Sequence, residues 1–168
     1  MGPGHLGVGF AAKTVAPKAP LWSLLAASEA LDLLSGVFIA VGSESMAVSE
    51  TSFREGLQIL TPGSIPWSHG LFMAVVWSLL FGAAALWGTR DRRAAIVIGL
   101  VVFSHWVLDF IVHLPDLPLM FAGSPEFGLG LWGSGAGLIV SLLLEILLLV
   151  GGVGIYLRWK KEARIDQE

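Results

Sequence analysis

Residues 94–114 form an apolar run whose only ionisable side chains are His105, Asp109 and His113. About 20 helical residues cross the ~30 Å hydrocarbon core of a bilayer, where a backbone satisfies its polar groups only as a helix or a closed barrel. A chain built on such a run is therefore expected to be a helical membrane protein. At about 100° per residue, His105, Asp109, His113 and the nearby Asp116 fall within roughly 80° of one helix face. Charge at membrane depth is costly, so these groups are expected to face the bundle interior, where they pair, carry protons or bind ions. His105 and Asp109 are about 6 Å apart along the helix and can share one metal, whereas His105 and His113, at about 12 Å, cannot. Further ligands must come from other segments.

The rest of the chain agrees with that environment. Of its 168 residues 55% are hydrophobic and 14% charged, with a mean hydropathy of +0.77, far from an ordinary soluble domain. No basic patch with interleaved aromatics is present, which argues against nucleic acid as a partner. The chain has no Cys, so disulfides, thiolate zinc sites, iron–sulfur clusters and a Cys nucleophile are excluded and any metal must use His and carboxylates. No internal repeat or low-complexity segment is evident.

The pattern predicts an all-α transmembrane bundle forming one domain, with helices over about 4–17, 20–41, 67–87, 94–114 and 131–157. The first is too short to cross a bilayer upright and reads as a short tilted or re-entrant helix without the basic start and long apolar core of a cleaved signal; the others are four full spans. Residues 42–66 are a polar loop, with a short surface helix expected at 52–60, and 158–168 a charged tail expected to fray. Arg90, Arg92 and Arg93 fall in one turn, Arg158, Lys160, Lys161 and Arg164 in the tail, and Lys13 and Lys18 before the first full span. The positive-inside rule then places these residues and the C-terminus in the cytoplasm and the 42–66 loop outside. Trp22, Trp67, Trp87, Trp132 and Trp159 lie near span ends, as an interfacial aromatic belt requires.

In this topology His5, His69 and His113 lie toward the outer side, with Asp32, His105 and Glu145 deeper. His105 and Asp109 alone could be a structural pair; the convergence of His5, His69, Glu29 and Asp32 on the same half favours a metal site. Neutral imidazoles with carboxylates suit Zn²⁺, with Mn²⁺ or Fe²⁺ as alternatives. Glu29 and Asp32 share a helix face at i, i+3 spacing; Asp32 is the expected ligand and Glu29 the candidate base or supporting group. His113 and Asp116 could bind a second metal, orient the first or reach the interface, and Asp116 is the other candidate base. Ser68 is disfavoured as a nucleophile for His69, because consecutive residues point about 100° apart on a helix. Glu145 is expected to serve helix packing, and Gly133 with Gly137 a close helix contact.

These residues resemble the bacterial membrane-bound, metal-dependent hydrolase family of the YdjM type, across roughly residues 1–116. The family pattern has an N-terminal His, an acidic motif in the next helix, a His segment opening a later span and His-x-x-x-Asp in the one after. Here the corresponding residues are His5, Asp32 in Glu29-Ala-Leu-Asp32, His69 in Pro66-Trp-Ser-His69, and His105-Trp-Val-Leu-Asp109. The family's Pro-Asp-x-Asp motif is reduced to Glu-x-x-Asp, and only the second His of its doubled His segment is kept. A more distant likeness to zinc-dependent phospholipase C, all-helical with His and Asp ligands, implies phosphoester chemistry.

The expected function is hydrolysis of a phosphoester or lipid substrate at a metal held by His5, Asp32, His69, His105 and Asp109, with membrane lipid as environment and an oligomer open. The alternative is a transporter or channel moving protons or metal ions along the same stripe. A haem protein with paired His ligands is disfavoured by the neighbouring carboxylates. A purely structural role does not explain the cost of so many buried ionisable groups. The bacterial inner membrane is the expected location.

Overall fold

The structure, a computed structural model, describes residues 2–48, 60–121 and 123–165. The fold is mostly helical: α1 (Gly4–Val15), α2 (Leu21–Ser28), α3 (Ala30–Ala40), α4 (Leu71–Thr89), α5 (Arg92–Val112) and α6 (Gly135–Ile165). Two small antiparallel hairpins join them, β1 (Ser45–Val48) with β2 (Leu60–Ser64) and β3 (Leu117–Pro118) with β4 (Glu126–Phe127). Pro62 is tolerated in β2 because both strands of a two-stranded ladder are edges. The surface helix expected at 52–60 lies outside the described residues except for Leu60, which opens β2.

α4, α5 and α6 are each long and apolar enough to cross a membrane; α2 and α3 reach that measure only as a pair, bent by 57°. The helix expected to run unbroken through 20–41 is thus broken at Glu29, where the sequence has neither Pro nor Gly. At this break a side chain from another helix meets the helical ladder. His105 Nδ1 donates to the Ser28 carbonyl at 2.7 Å, an acceptor that an unbroken helix would give to the amide four residues on, and helices kink where their i→i−4 bonds are intercepted.

α5 is the central element. In its apolar window 44% of residues are buried, against 17% for α4 and 11% for α6, so α4 and α6 lie outside it with Leu79, Trp87 and Leu147 exposed. The turn from α4 to α5 is made by Arg90 in the left-handed region (φ 52°) and by Asp91, whose carboxylate accepts the Ala94 amide at 2.9 Å and caps α5. α6 runs to Ile165 rather than ending near residue 157, because the charged tail consists of good helix formers and carries an Arg158–Glu162 pair at 3.0 Å.

The tightest glycine contact between helices is not the expected one. A methyl group at Gly7 would collide with the Leu148 carbonyl, and one at Gly152 with that of Gly7, so α1 and α6 touch backbone to backbone. Gly133 instead sits in a 3-10 turn against Leu114, and Gly137 folds onto the Leu131 carbonyl of the same connection. Glu145 meets the other end of α1: a methyl at Gly2 would lie 2.8 Å from its Oε2, which places a carboxylate near the unpaired amides of a helix start.

Candidate metal centre

The upper half of α5 supplies the first two groups. The i, i+4 spacing of His105 and Asp109 stacks them on the face turned toward α2, and both are buried, at 0% and 1% exposure. Asp32 comes from the first turn of α3, brought in by the bend. His69 comes from the turn before α4, held by the Trp106 indole, which donates to its carbonyl at 2.8 Å. The following residue, Gly70, is pressed between the carbonyls of Pro66 and Met120, where a Cβ would lie 2.5 and 2.6 Å from their oxygens. Only glycine fits beside His69.

Four atoms close a ring. His69 Nε2 lies 3.3 Å from Asp32 Oδ1 and 3.3 Å from Asp109 Oδ2, while His105 Nε2 lies 3.4 and 3.2 Å from the same two oxygens. All four atoms fall within 4.8 Å of one another. Charge-assisted hydrogen bonds draw N and O to about 2.7–2.9 Å, so these separations are long for direct pairing. They match the edge of a coordination polyhedron: ligands about 2.0–2.1 Å from one ion at tetrahedral angles lie roughly 3.3–3.4 Å apart. The cluster could hold a metal ion. Its imidazole and carboxylate donors suit a divalent cation such as Zn²⁺, Mn²⁺ or Fe²⁺.

The outer partners fix both histidines for that task. The Ser28 carbonyl can only accept, so His105 carries its proton on Nδ1 and turns the Nε2 lone pair into the ring. His69 Nδ1 lies 2.8 Å from Ser68 Oγ, whose hydroxyl donates to the Glu44 carboxylate at 2.8–2.9 Å. The Ser68 oxygen is therefore left to accept from His69 Nδ1–H, and Nε2 again points inward. Glu44, 5% exposed, also accepts the amides of Trp67 and Ser68. Residues 66–69 form a turn rather than a helix, which lets neighbouring Ser68 and His69 touch. Ser68 is nonetheless no nucleophile, being fully buried with its proton committed to Glu44.

The remaining candidates surround this ring. His5, 1% exposed, has Nε2 3.3 Å from Asp109 Oδ1, and its ring stacks on that of His105 at 3.7 Å. His113 Nε2 is 3.9 Å from Asp109 Oδ1, and its Nδ1 is 3.0 Å from Asp116 Oδ1. Asp116 lies past the end of α5, engaged by His113. Glu29 stands at the helix break with Oε1 buried and without a hydrogen-bond partner. Asp32 alone is open, its side chain 47% exposed, and gives the ring access from outside.

Glu44 and Ser68 are the supporting residues that sequence reasoning passed over, an ordinary acid in a polar loop and a serine weighed only as a nucleophile. A groove of about 470 Å³ between α4 and α5 is lined by Val75, Leu79, Ile96, Gly99 and Phe103 among others and has no ionisable lining. It lies roughly opposite His105 around α5. No family model, curated protein or solved structure matches the chain.

Proposed function

We propose that the chain is a membrane-embedded, metal-dependent hydrolase acting on a phosphoester or lipid substrate. The observation that carries this reading is the closed ring of Asp32, His69, His105 and Asp109, whose separations suit a shared cation better than direct hydrogen bonds. The likeness to the YdjM-type hydrolases rests on these residues and His5, and all five lie in one connected cluster. Counting α2 and α3 as one bent span gives four spans. The positive-inside rule puts the α4–α5 turn and the end of α6 in the cytoplasm of a bacterial inner membrane, so the half-exposed Asp32 opens toward the outer leaflet.

A divalent ion, Zn²⁺ in the favoured reading, supplies Lewis acidity and acidifies water when bound. The chain supplies the rest. His69 and His105 present neutral Nε2 lone pairs because Ser68 and the Ser28 carbonyl hold their Nδ1 protons. Asp109 holds the inner side of the ring and Asp32 the side that substrate meets. Glu29, one turn before Asp32, accepts the proton of the attacking water at its unpartnered Oε1. Asp116 is taken by His113 and leaves that role to Glu29.

Transport along the stripe is the weaker reading. Toward the cytoplasmic end, the buried residues of α5 are Val102, Val101, Ile98, Ala95 and Ala94, so the polar face stops at His105 and offers no onward relay among the described residues. The test is turnover in detergent, without any gradient, of p-nitrophenyl phosphodiesters and of phospholipids by Zn²⁺- or Mn²⁺-loaded protein. Hydrolysis in the wild type that vanishes in His105→Ala is expected. Absence of turnover from metal-loaded protein, with metal uptake into proteoliposomes, would transfer the site to transport.

A further inference from the structure

Asp109 turns its two oxygens toward two different sets of imidazoles. Oδ2 faces His69 and His105 in the ring described above, while Oδ1 faces His5 Nε2 at 3.3 Å and His113 Nε2 at 3.9 Å. The His5 side is not explained by the first ion. His5 is 1% exposed, and neither of its ring nitrogens has a hydrogen-bond partner, although buried polar groups are almost always satisfied. His5 and His105 stack with centroids 3.7 Å apart and planes 9° from parallel, each presenting Nε2 to one oxygen of the same carboxylate.

Parallel rings that offer the same nitrogen direct their lone pairs side by side, so ions held on them stand about one ring spacing apart. Paired ions in two-metal hydrolytic sites are about 3.5–4 Å apart, which is the spacing of this stack. We propose a second divalent-cation site formed by His5 Nε2, Asp109 Oδ1 and His113 Nε2, with Asp109 bridging the two ions. Asp116 accepts the Nδ1 proton of His113 at 3.0 Å, which leaves Nε2 free for the metal and gives Asp116 an orienting role. Trp132, with its ring centroid 4.5 Å from that of His113, packs the imidazole in place.

The second site rests on the metal reading of the first and narrows its substrate class. One carboxylate oxygen and two imidazoles leave coordination positions open. Two ions at this spacing suit the attacking and leaving oxygens of a displacement at phosphorus, and so favour a phosphoester over a carboxylic ester.

The test is metal content and spin coupling of tag-free, full-length protein in detergent, equilibrated with Mn²⁺ and desalted. Two ions per chain by plasma mass spectrometry are expected, with an exchange-coupled paramagnetic resonance spectrum. His5→Gln and His113→Gln should each retain one ion and give the six-line spectrum of isolated Mn²⁺. One ion per wild-type chain, or two without coupling, overturns the second site and leaves the first standing. No ion in the wild type overturns both. The wild-type result decides the matter even if a variant fails to fold.

Discussion

The two halves of α5 share one helix and one apolar sequence background, yet they are held by different physics. From Ala94 to Val102 the buried face is aliphatic, and its tightest approach is Gly99 against α4, where a Cβ would lie 2.9 Å from the Ser78 carbonyl. From His105 to Asp109 the buried face is polar, and its separations are those of ligands around an ion rather than of hydrogen bonds. The first half is complete as a piece of packing. The second brings Asp109 and His105 together with Asp32 and His69 in a cluster that could hold a metal ion. Mean hydropathy over the apolar window of α5, 2.3, does not separate them, because one average covers both halves; the positions of His105 and Asp109 within the run do.

The sharpest way to break the contrast is Asp109→Asn, which removes a charge from the shared ligand. Metal content should fall to background, and hydrolysis with it; retention of a stoichiometric ion would show that Asp109 is not a ligand and that the contrast between the halves does not rest on it. Next in size is removal of the ion from the wild type. An ion present at about 100 times its Kd contributes about 2.7 kcal/mol, so a chelator should lower Tm clearly in the wild type and hardly at all in Asp109→Asn.

Ser68→Ala should weaken metal affinity by roughly 10–100-fold, the usual cost of losing an outer partner of a ligand histidine, while leaving the far half of α5 untouched; a competition titration with a chelating dye measures it. Gly99→Leu should do the reverse. It forces α4 and α5 apart, lowers stability by about 1–3 kcal/mol as overpacking does, and leaves one full complement of metal in whatever protein folds, as denaturation and metal analysis of the same sample will show.

The smallest effect is expected at the capped start of α5. The Ala94 amide, and after it the Lys18 ammonium, hold the Asp91 carboxyl below the usual carboxylate range. A depressed pKa stabilises the fold above the ordinary value, and that contribution is lost as pH falls through the depressed one. The Tm difference between wild type and Asp91→Asn should therefore be present at neutral pH and shrink on acidification. A difference that grows in acid would contradict the capping role.

Much of the ring was legible because ionisable residues in apolar runs are conspicuous. His105, Asp109, Asp32 and His69 each stand out against Leu, Val and Ala, and the cost of burying them points to partners. Glu44 was not legible for the opposite reason: it lies among Ser43, Ser45 and other polar residues, where an acid needs no explanation. The contact between Ser68 and His69 was hidden by assuming a helix where the chain turns. The break at Glu29 carried no local signal either, since the chain has neither Pro nor Gly there and the group that meets the Ser28 carbonyl comes from another helix. Gly133 and Gly137 show the converse, a spacing that suggests helix contact but serves a connection, while the working contact uses Gly7 and Gly152, far apart in sequence.

The Ser28 carbonyl has one consequence for anyone wishing to transplant this centre. It accepts from the His105 ring at the point where α2 and α3 bend by 57°, so the orientation of the imidazole and the break in the helix pair occur at one place. Grafting the same histidines and aspartates onto four uninterrupted helices would remove the bend that brings Asp32, in the first turn of α3, toward His69 and His105. The defect in the second span belongs to the blueprint of the centre as much as the side chains do.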